Sequence, residues 1–189
     1  MELSKIEDSL KESANVLENC NQISHEISQS IVKIIKSMKN GKKIILFGNG
    51  GSAADSQHIA AELIGRFRHE RQGIPAISLT TDTSILTSLS NDYSYDVVFS
   101  RQCESLVSKD DIAFGISTSG NSKNVENGLK TAKQLGAITI GLLGNNGGCI
   151  KDIVDIAIIV PSTITSHIQE AHRVIYHIIC AEIEEAFID

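Results

Sequence analysis

One pattern restricts the fold of this chain more than any other: a short apolar run, then a cluster of Gly, Ser, Thr or Asn, then residues at helical spacing. It begins with residues 43–47, followed by Gly48-Asn49-Gly50-Gly51-Ser52 and a helical stretch over 53–67. It recurs at 76–79 ahead of a polar turn, at 112–116 ahead of Ser117-Thr118-Ser119-Gly120, and at 138–143 ahead of Gly144-Asn145-Asn146-Gly147-Gly148. A fifth run, 154–160, precedes Pro161 and an amphipathic stretch over 165–187. Short runs that are apolar at successive positions are buried on both faces, and with helices between them they build a parallel sheet covered on both sides. The expected fold class is α/β, a three-layer sandwich with a five-stranded parallel sheet flanked by helices. Ligands of such sheets bind beyond the carboxyl ends of the strands, where all of these loops lie.

Ahead of the first strand, Leu10, Val16, Leu17, Ile23, Ile27, Ile31, Ile34, Ile35 and Met38 keep helical spacing up to Asn40-Gly41, a helix stop. One long helix or two in series are expected there. A length of 189 residues suits a single domain over 1–189, with 1–40 as an N-terminal helical segment. The longest nearly apolar run, 153–161, is interrupted by Asp155 and falls far short of the roughly 20 residues of a membrane span. Charges alternate through the first turns, where a secretory signal would carry an apolar core, so a cytoplasmic location is expected. Cys20, Cys103, Cys149 and Cys180 are scattered without a CxxC pair and read as reduced, mostly packing residues. A net charge of −6 disfavours nucleic-acid binding, so an anionic ligand has to be held by local donors.

Two loops carry such donors. Gly48-Asn49-Gly50-Gly51-Ser52-Ala53 satisfies the G-x-G-x-x-A dinucleotide pattern, but Ser78-Leu79-Thr80-Thr81 stands where a ribose-binding acid belongs and Asp82 comes late. No Lys-Ser or Lys-Thr follows the glycines, which excludes a Walker loop. The run Ser117-Thr118-Ser119-Gly120-Asn121-Ser122 gathers hydroxyls and N–H groups at the start of a helix, a combination that suits a phosphate monoester and also serves as an ordinary helix cap.

His58 and Glu62 lie at i and i+4 on the helix after the glycine loop, a spacing that serves a metal ligand pair or a surface ion pair. Gln169 and His177 lie eight residues apart on the last helix, a rise of roughly 12 Å. Their side chains would have to converge to share one ion, and spacing does not decide between His172 and His177 as the partner of Gln169. Arg66, Arg68 and Arg71 read as a charged helix terminus, Glu182, Glu184 and Glu185 as a solvated helix end, and His25, His69 and His167 as solvent-facing or packing residues.

Residues 25–187 resemble the sugar isomerase (SIS) fold, and within it the bacterial phosphoheptose isomerases. The resemblance rests on six blocks in one order: 48–58, Ala61-Glu62-Leu63-Ile64-Gly65-Arg66-Phe67, Leu79-Thr80-Thr81-Asp82-Thr83, Asn91-Asp92-Tyr93, 116–122 and Ile168-Gln169-Glu170-Ala171-His172. It implies one zinc ion per subunit held by His58, Glu62, Gln169 and His177, with Glu62 and His177 also performing acid/base work. It implies substrate contacts from Asn49, Gly50, Gly51, Glu62, Asn91, Asp92, Ser117, Thr118, Ser119, Ser122 and Gln169. It further implies a homotetramer with active sites between subunits, to whose packing the 1–40 segment contributes, and interconversion of heptose 7-phosphates for lipopolysaccharide or capsule. Ser166 stands where some members carry an acid. A non-catalytic relative that binds the bacterial replication initiator lacks the glutamate and the final histidine, both present here as Glu62 and His177. SIS domains acting on amino-sugar 6-phosphates lack the usual pairing of Gln169 with His177.

Overall fold

A computed structural model describes residues 3–188; Met1 and Glu2 of the N-terminal segment lie outside the described residues. That segment forms two helices in series, α1 (Leu3–Asn19) and α2 (Ser24–Lys39), joined by a tight turn at Cys20–Ile23. The strands are β1 (Ile44–Gly48), β2 (Ala76–Ser78), β3 (Ile112–Ser117), β4 (Ile138–Leu143) and β5 (Ile156–Ile159). All pair in parallel in the order β2-β1-β3-β4-β5, with Ile44 level with Ala76 and Ile112, and Ile140 level with Ile156. The remaining helices are α3 (Gly51–Ile64), α4 (Thr83–Asp92), α5 (Val98–Leu106), α6 (Lys123–Gln134) and α7 (Thr165–Glu185).

Strand side chains alternate between faces, and each face has its own core. Ile44, Leu46, Ile112, Phe114, Ile140 and Ile158 pack against α2, α3 and α7. Ile45, Phe47, Ala113 and Leu143 pack against α5 and α6. The expected three-layer sandwich is the one observed. No helix among the described residues is long and apolar enough to cross a membrane.

The sequence pattern misplaced some parts, for physical reasons. β5 begins at Ile156 rather than at 154, because the Asp155 carboxylate accepts hydrogen bonds from the Thr139 amide and hydroxyl, both at 2.8 Å, just ahead of the ladder. Helices α4 and α5 occupy what read only as a polar turn and its sequel. No side chain of α4 is fully buried: Leu86 and Leu89 rest partly buried on the core, and the helix's hydroxyls bond back to its own carbonyls, Thr87 to Thr83 at 2.6 Å and Ser90 to Leu86 at 2.7 Å, so its apolar stripe is short and weak. Asp82 is the N-cap of α4, accepting the Ile85 N–H at 2.9 Å, which explains its late position.

Glu184, expected on a solvated helix end, is instead 1% exposed and accepts hydrogen bonds from the backbone N–H groups of Phe67, Arg68 and His69. A second buried carboxylate, Asp111, closes the start of β3 by accepting from the Lys43 amide, the Lys43 ammonium and the Ser108 amide. Both satisfy the rule that an ion removed from water needs several charge-compensating donors.

α7 turns His172 into the core, where it is fully buried and its Nε2–H donates to the Leu143 carbonyl at 3.0 Å, leaving Nδ1 without a partner among the described residues. Burial pushes this imidazole down to about 4. The unfolded chain takes up the proton near pH 6.5, so between pH 6.5 and 4 the unfolded state binds more protons than the folded one. Stability is therefore full above pH 6.5 and drains as the pH falls toward 4, by about 3 kcal/mol across the window. His172→Gln, which keeps a donor for Leu143, should lose this part of the acid sensitivity when denaturation midpoints are compared from pH 7 to 4. Equal losses in both proteins would show that His172 is not the titrating group.

Candidate active site

The strand order places β1 beside β3, and the connections leave that pair in opposite directions, so a crevice opens at their carboxyl ends. The two donor-rich loops flank it. They are tied together by a reciprocal amide pair, Asn49 Nδ2 to Asn124 Oδ1 and Asn124 Nδ2 to Asn49 Oδ1, each 2.8 Å, with the Tyr95 hydroxyl donating to Asn49 Oδ1 at 3.0 Å. In the second loop the Ser117 hydroxyl lies 2.9 Å from that of Ser122 and 3.4 Å from that of Ser119. Ser122 is the N-cap of α6 yet does not use its side chain to cap it; the Val125 N–H donates to Asn124 Oδ1 and that of Glu126 to the Ser122 carbonyl, so among the described residues the N–H groups of Lys123 and Asn124 are the ones left for another acceptor. Thr118 is held through its carbonyl by Asn145 Nδ2 at 2.9 Å. Gly120 adopts φ +68°, and a Cβ there would enter the backbone of Gly147, so this loop closes only with glycine.

A second cluster lies on the flank of α3 and α7. His58 Nε2 is 2.9 Å from Glu62 Oε1, one turn along α3. His177 of α7 faces them, its ring 5.2 Å from that of His58 at 75°. One ligand atom from each of His58, Glu62 and His177 lies within 4.8 Å of the others, and the three residues are partly exposed. Imidazole and carboxylate donors at this separation, without a thiolate, suit a borderline divalent ion. Behind them the Tyr176 hydroxyl stands 3.0 Å from His58 Nδ1 and 3.4 Å from Asp55 Oδ1, and Arg173 reaches the same Asp55 oxygen at 3.5 Å. Phe67 forms a further wall, its ring 5.6 Å from that of His177.

Electrostatics follow from this packing. Burial lowers the basicity of His177, and the neighbouring His58 lowers it further, so its imidazole stands neutral at neutral pH. Burial lifts Asp55 above the usual carboxylate range despite Arg173. Burial pushes the Tyr176 hydroxyl up to about 12, which keeps it a proton-bearing group able to donate and accept at once.

Of the residues singled out from the sequence, His58, Glu62 and His177 are brought together, and His172 is excluded from the cluster by its burial against Leu143. Gln169 stands elsewhere: a Cβ on Gly51 would lie 2.6 Å from its Nε2, at the amino end of α3, beside Asp55, Ser166 and Arg173. Gln169 and His177 lie eight residues apart on α7, a rise of roughly 12 Å. Asn91 and Asp92 are exposed at the end of α4 and hydrogen-bond to each other at 2.9 Å. Gly50 adopts φ +56° at the exposed tip of the first loop. Sequence reasoning missed Asp55, Tyr95, Asn124 and Tyr176. Asp55 was accessible, since it sits three residues before His58 on the same helix; the others reach the site only through tertiary packing.

A family model described as the SIS domain matches residues 10–144. The chain is 56% identical over 163 residues to a phosphoheptose isomerase from a Nitratiruptor species, spanning 86% of this chain and 87% of that protein. It is 50% identical over 184 residues to a phosphoheptose isomerase from Aquifex aeolicus, spanning 97% and 96%. The solved structure of a phosphoheptose isomerase from Neisseria gonorrhoeae superposes with a TM-score of 0.91 at 36% identity, covering 96% of this chain and 98% of that one. With sequence and fold matched over nearly its whole length, the chain belongs to the phosphoheptose isomerase family of SIS-domain proteins.

Proposed function

We propose that this chain is an enzyme converting D-sedoheptulose 7-phosphate to D-glycero-D-manno-heptose 7-phosphate through an enediol, the first step toward a nucleotide-activated heptose. The observation that carries this reading is the convergence of His58 and Glu62 of α3 with His177 of α7. Aldose–ketose isomerisation needs a base at carbon and a proton carrier between two oxygens. Glu62 takes the proton from C1; the electron pair forms the C1–C2 double bond, and the pair of the C2 carbonyl moves onto O2 as negative charge. His177, neutral at neutral pH, moves the hydroxyl proton from O1 to O2, and Glu62 returns the carbon-bound proton to C2. The Glu62 oxygen not facing His58 makes no hydrogen bond among the described residues, which suits a base. Ser117, Thr118, Ser119, Ser122 and the first turn of α6 hold the phosphate, while Asn49, Gly50, Gly51, Asn91, Asp92 and Gln169 line the sugar. Binding energy from the phosphate orients the reacting carbons.

His58, Glu62 and His177 would hold one zinc ion per subunit, with the amide oxygen of Gln169 as a further ligand. When bound, such an ion stabilises negative charge developing on the sugar oxygens. Because Gln169 and His177 sit far apart on one helix, we assign Gln169 to a neighbouring subunit's site within a homotetramer. Exposed apolar residues support such packing: Leu3 and Leu10 of α1 are 72% and 66% exposed, and Val174 and Ile178 of α7 are 41% and 45% exposed. Four free cysteines accord with action in the cytoplasm. A non-catalytic role has no use for Glu62 and His177 in one cluster.

Glu62→Gln should lower kcat by about a thousandfold in a sedoheptulose 7-phosphate assay while the circular dichroism spectrum stays unchanged. Turnover within tenfold of the unmutated protein would remove Glu62 from the base role. Replacing Ser117, Ser119 and Ser122 together by alanine should raise KM for the phosphorylated sugar steeply, since each donor lost to a charged group costs roughly 1.5–3 kcal/mol. An unaltered KM would reduce the loop to a helix cap. Chelation should depress activity and added zinc restore it; His58→Ala and His177→Ala should lose metal by elemental analysis, whereas His172→Ala should retain it. Full activity in metal-free protein would defeat the zinc assignment and leave Glu62 and His177 as an acid/base pair.

A further inference from the structure

Glu184 is a buried charge that the reaction above does not use, and its partners lead to the residues that the reaction does use. It stands seven residues after His177 on α7, two turns along the same face. Its Oε1 accepts the Phe67 N–H at 2.8 Å, and its Oε2 accepts those of Arg68 at 2.7 Å and His69 at 3.0 Å. Arg71 Nε lies 3.6 Å from Oε1, with both side chains almost wholly buried. The same guanidinium donates to the carbonyls of Glu62 and Leu63, both at 2.8 Å, and of Gly65 at 3.0 Å, closing the end of α3. The segment fixed by Glu184 carries Phe67, whose ring rests against His177.

We infer that Glu184 and Arg71 form a buried clamp that positions Glu62 and His177 relative to each other: Arg71 terminates α3 at the turn bearing Glu62, and Glu184 presses Phe67 against His177. This rests on the assignment of Glu62 and His177 as the acid/base pair. Glu184 and Arg71 are positioning residues and touch no reacting atom. Burial alone would raise the Glu184 carboxyl, but three amide N–H groups and the Arg71 guanidinium hold it below the usual carboxylate range, so the clamp is charged at neutral pH. An amide at position 184 offers one acceptor oxygen in place of two and leaves Arg71 buried without its counter-charge.

The test compares the unmutated full chain with Glu184→Gln and, as a matched control, Asp111→Asn, whose buried carboxylate likewise binds backbone N–H groups but touches none of the three clustered residues. Both variants should lose thermal stability. Glu184→Gln alone should lower kcat by about tenfold or more with KM within about threefold, and weaken zinc binding in chelator competition by about tenfold. It alone should also shift the His177 ring-proton NMR signals away from positions set by the Phe67 ring. If Glu184→Gln matches Asp111→Asn in kcat, zinc affinity and ring signals, the clamp is structural only and the inference falls. If the unmutated protein does not turn over the sugar phosphate, the functional reading fails, while the ring signals still judge the clamp. Should Glu184→Gln not fold, Phe67→Leu keeps every hydrogen bond of the clamp and removes only the ring; unchanged kcat and zinc affinity there would overturn the inference.

Discussion

Everything distinctive about the site depends on α3 packing closely against α7. The first half of α3 reads Gly51-Ser52-Ala53-Ala54-Asp55-Ser56, and small side chains let the helix lie flat on the sheet and on its neighbour. Ile59, Ala60 and Leu63 share a core with Ile168, Ala171, Ile175, Tyr176 and Ile179 of α7. That seam sets the register between the helices, and the register alone brings His177 to His58 and Glu62. A shift of one turn, about 5.4 Å, would separate them beyond the reach of any shared ion. Groups at both ends of the seam, the half-buried Gln169 against Gly51 and the buried Glu184 against the segment after α3, pin it in place.

Local patterns were legible in the sequence where one element suffices to define them. The five strands declare themselves because a strand buried on both faces has to be apolar throughout, and the loops because a parallel sheet gathers its strand ends at one edge. His58 and Glu62 are readable as a pair because four residues make one helical turn. What requires two elements was not legible. His172 and His177 look alike on a helical wheel until the sheet covers one of them. Glu184 looks like its neighbours Glu182 and Glu185 until the backbone of residues 67–69 arrives. α4 escapes detection because only Leu86 and Leu89 of it reach the core, too short a stripe to stand out, and the spacing of Gln169 and His177 on one helix does not by itself say what each of them meets.

The charge balance bears on how an acidic chain would hold the proposed phosphate. Lys123, at the start of α6, is bound to Glu126 at 3.2 Å, and Lys130 to the same carboxylate, so neither lysine brings free positive charge to the serine loop. Burial would raise Glu126, but the hydrogen bonds of Lys130 and Lys123 keep it below the ordinary range and the pairs ionised. The loop is left with neutral donors: hydroxyls, amides and the positive end of a helix. Neutral donors fixed by Asn49, Asn124 and Asn145 are already oriented, so an anion of the kind proposed would meet them with little reorganisation.

The buried carboxylates divide by how well they are satisfied. Asp111 and Glu184 each accept hydrogen bonds from several donors, most of them backbone N–H groups between 2.7 and 3.1 Å, which is how a fold retains an ion for architecture. Asp55 is as deeply buried, at 3% exposure, yet its contacts to Tyr176 and Arg173 are long, 3.4 and 3.5 Å, and no backbone N–H reaches it among the described residues. Burial therefore wins, and its proton is held more tightly than an ordinary carboxylate holds one. A carboxyl left short of donors, one hydroxyl away from His58, is out of place in a merely structural network and in place beside a site that exchanges protons. The contrast between satisfied and unsatisfied carboxylates supports the proposal that proton transfer takes place on this flank of α3 and α7, on physical grounds separate from the resemblance.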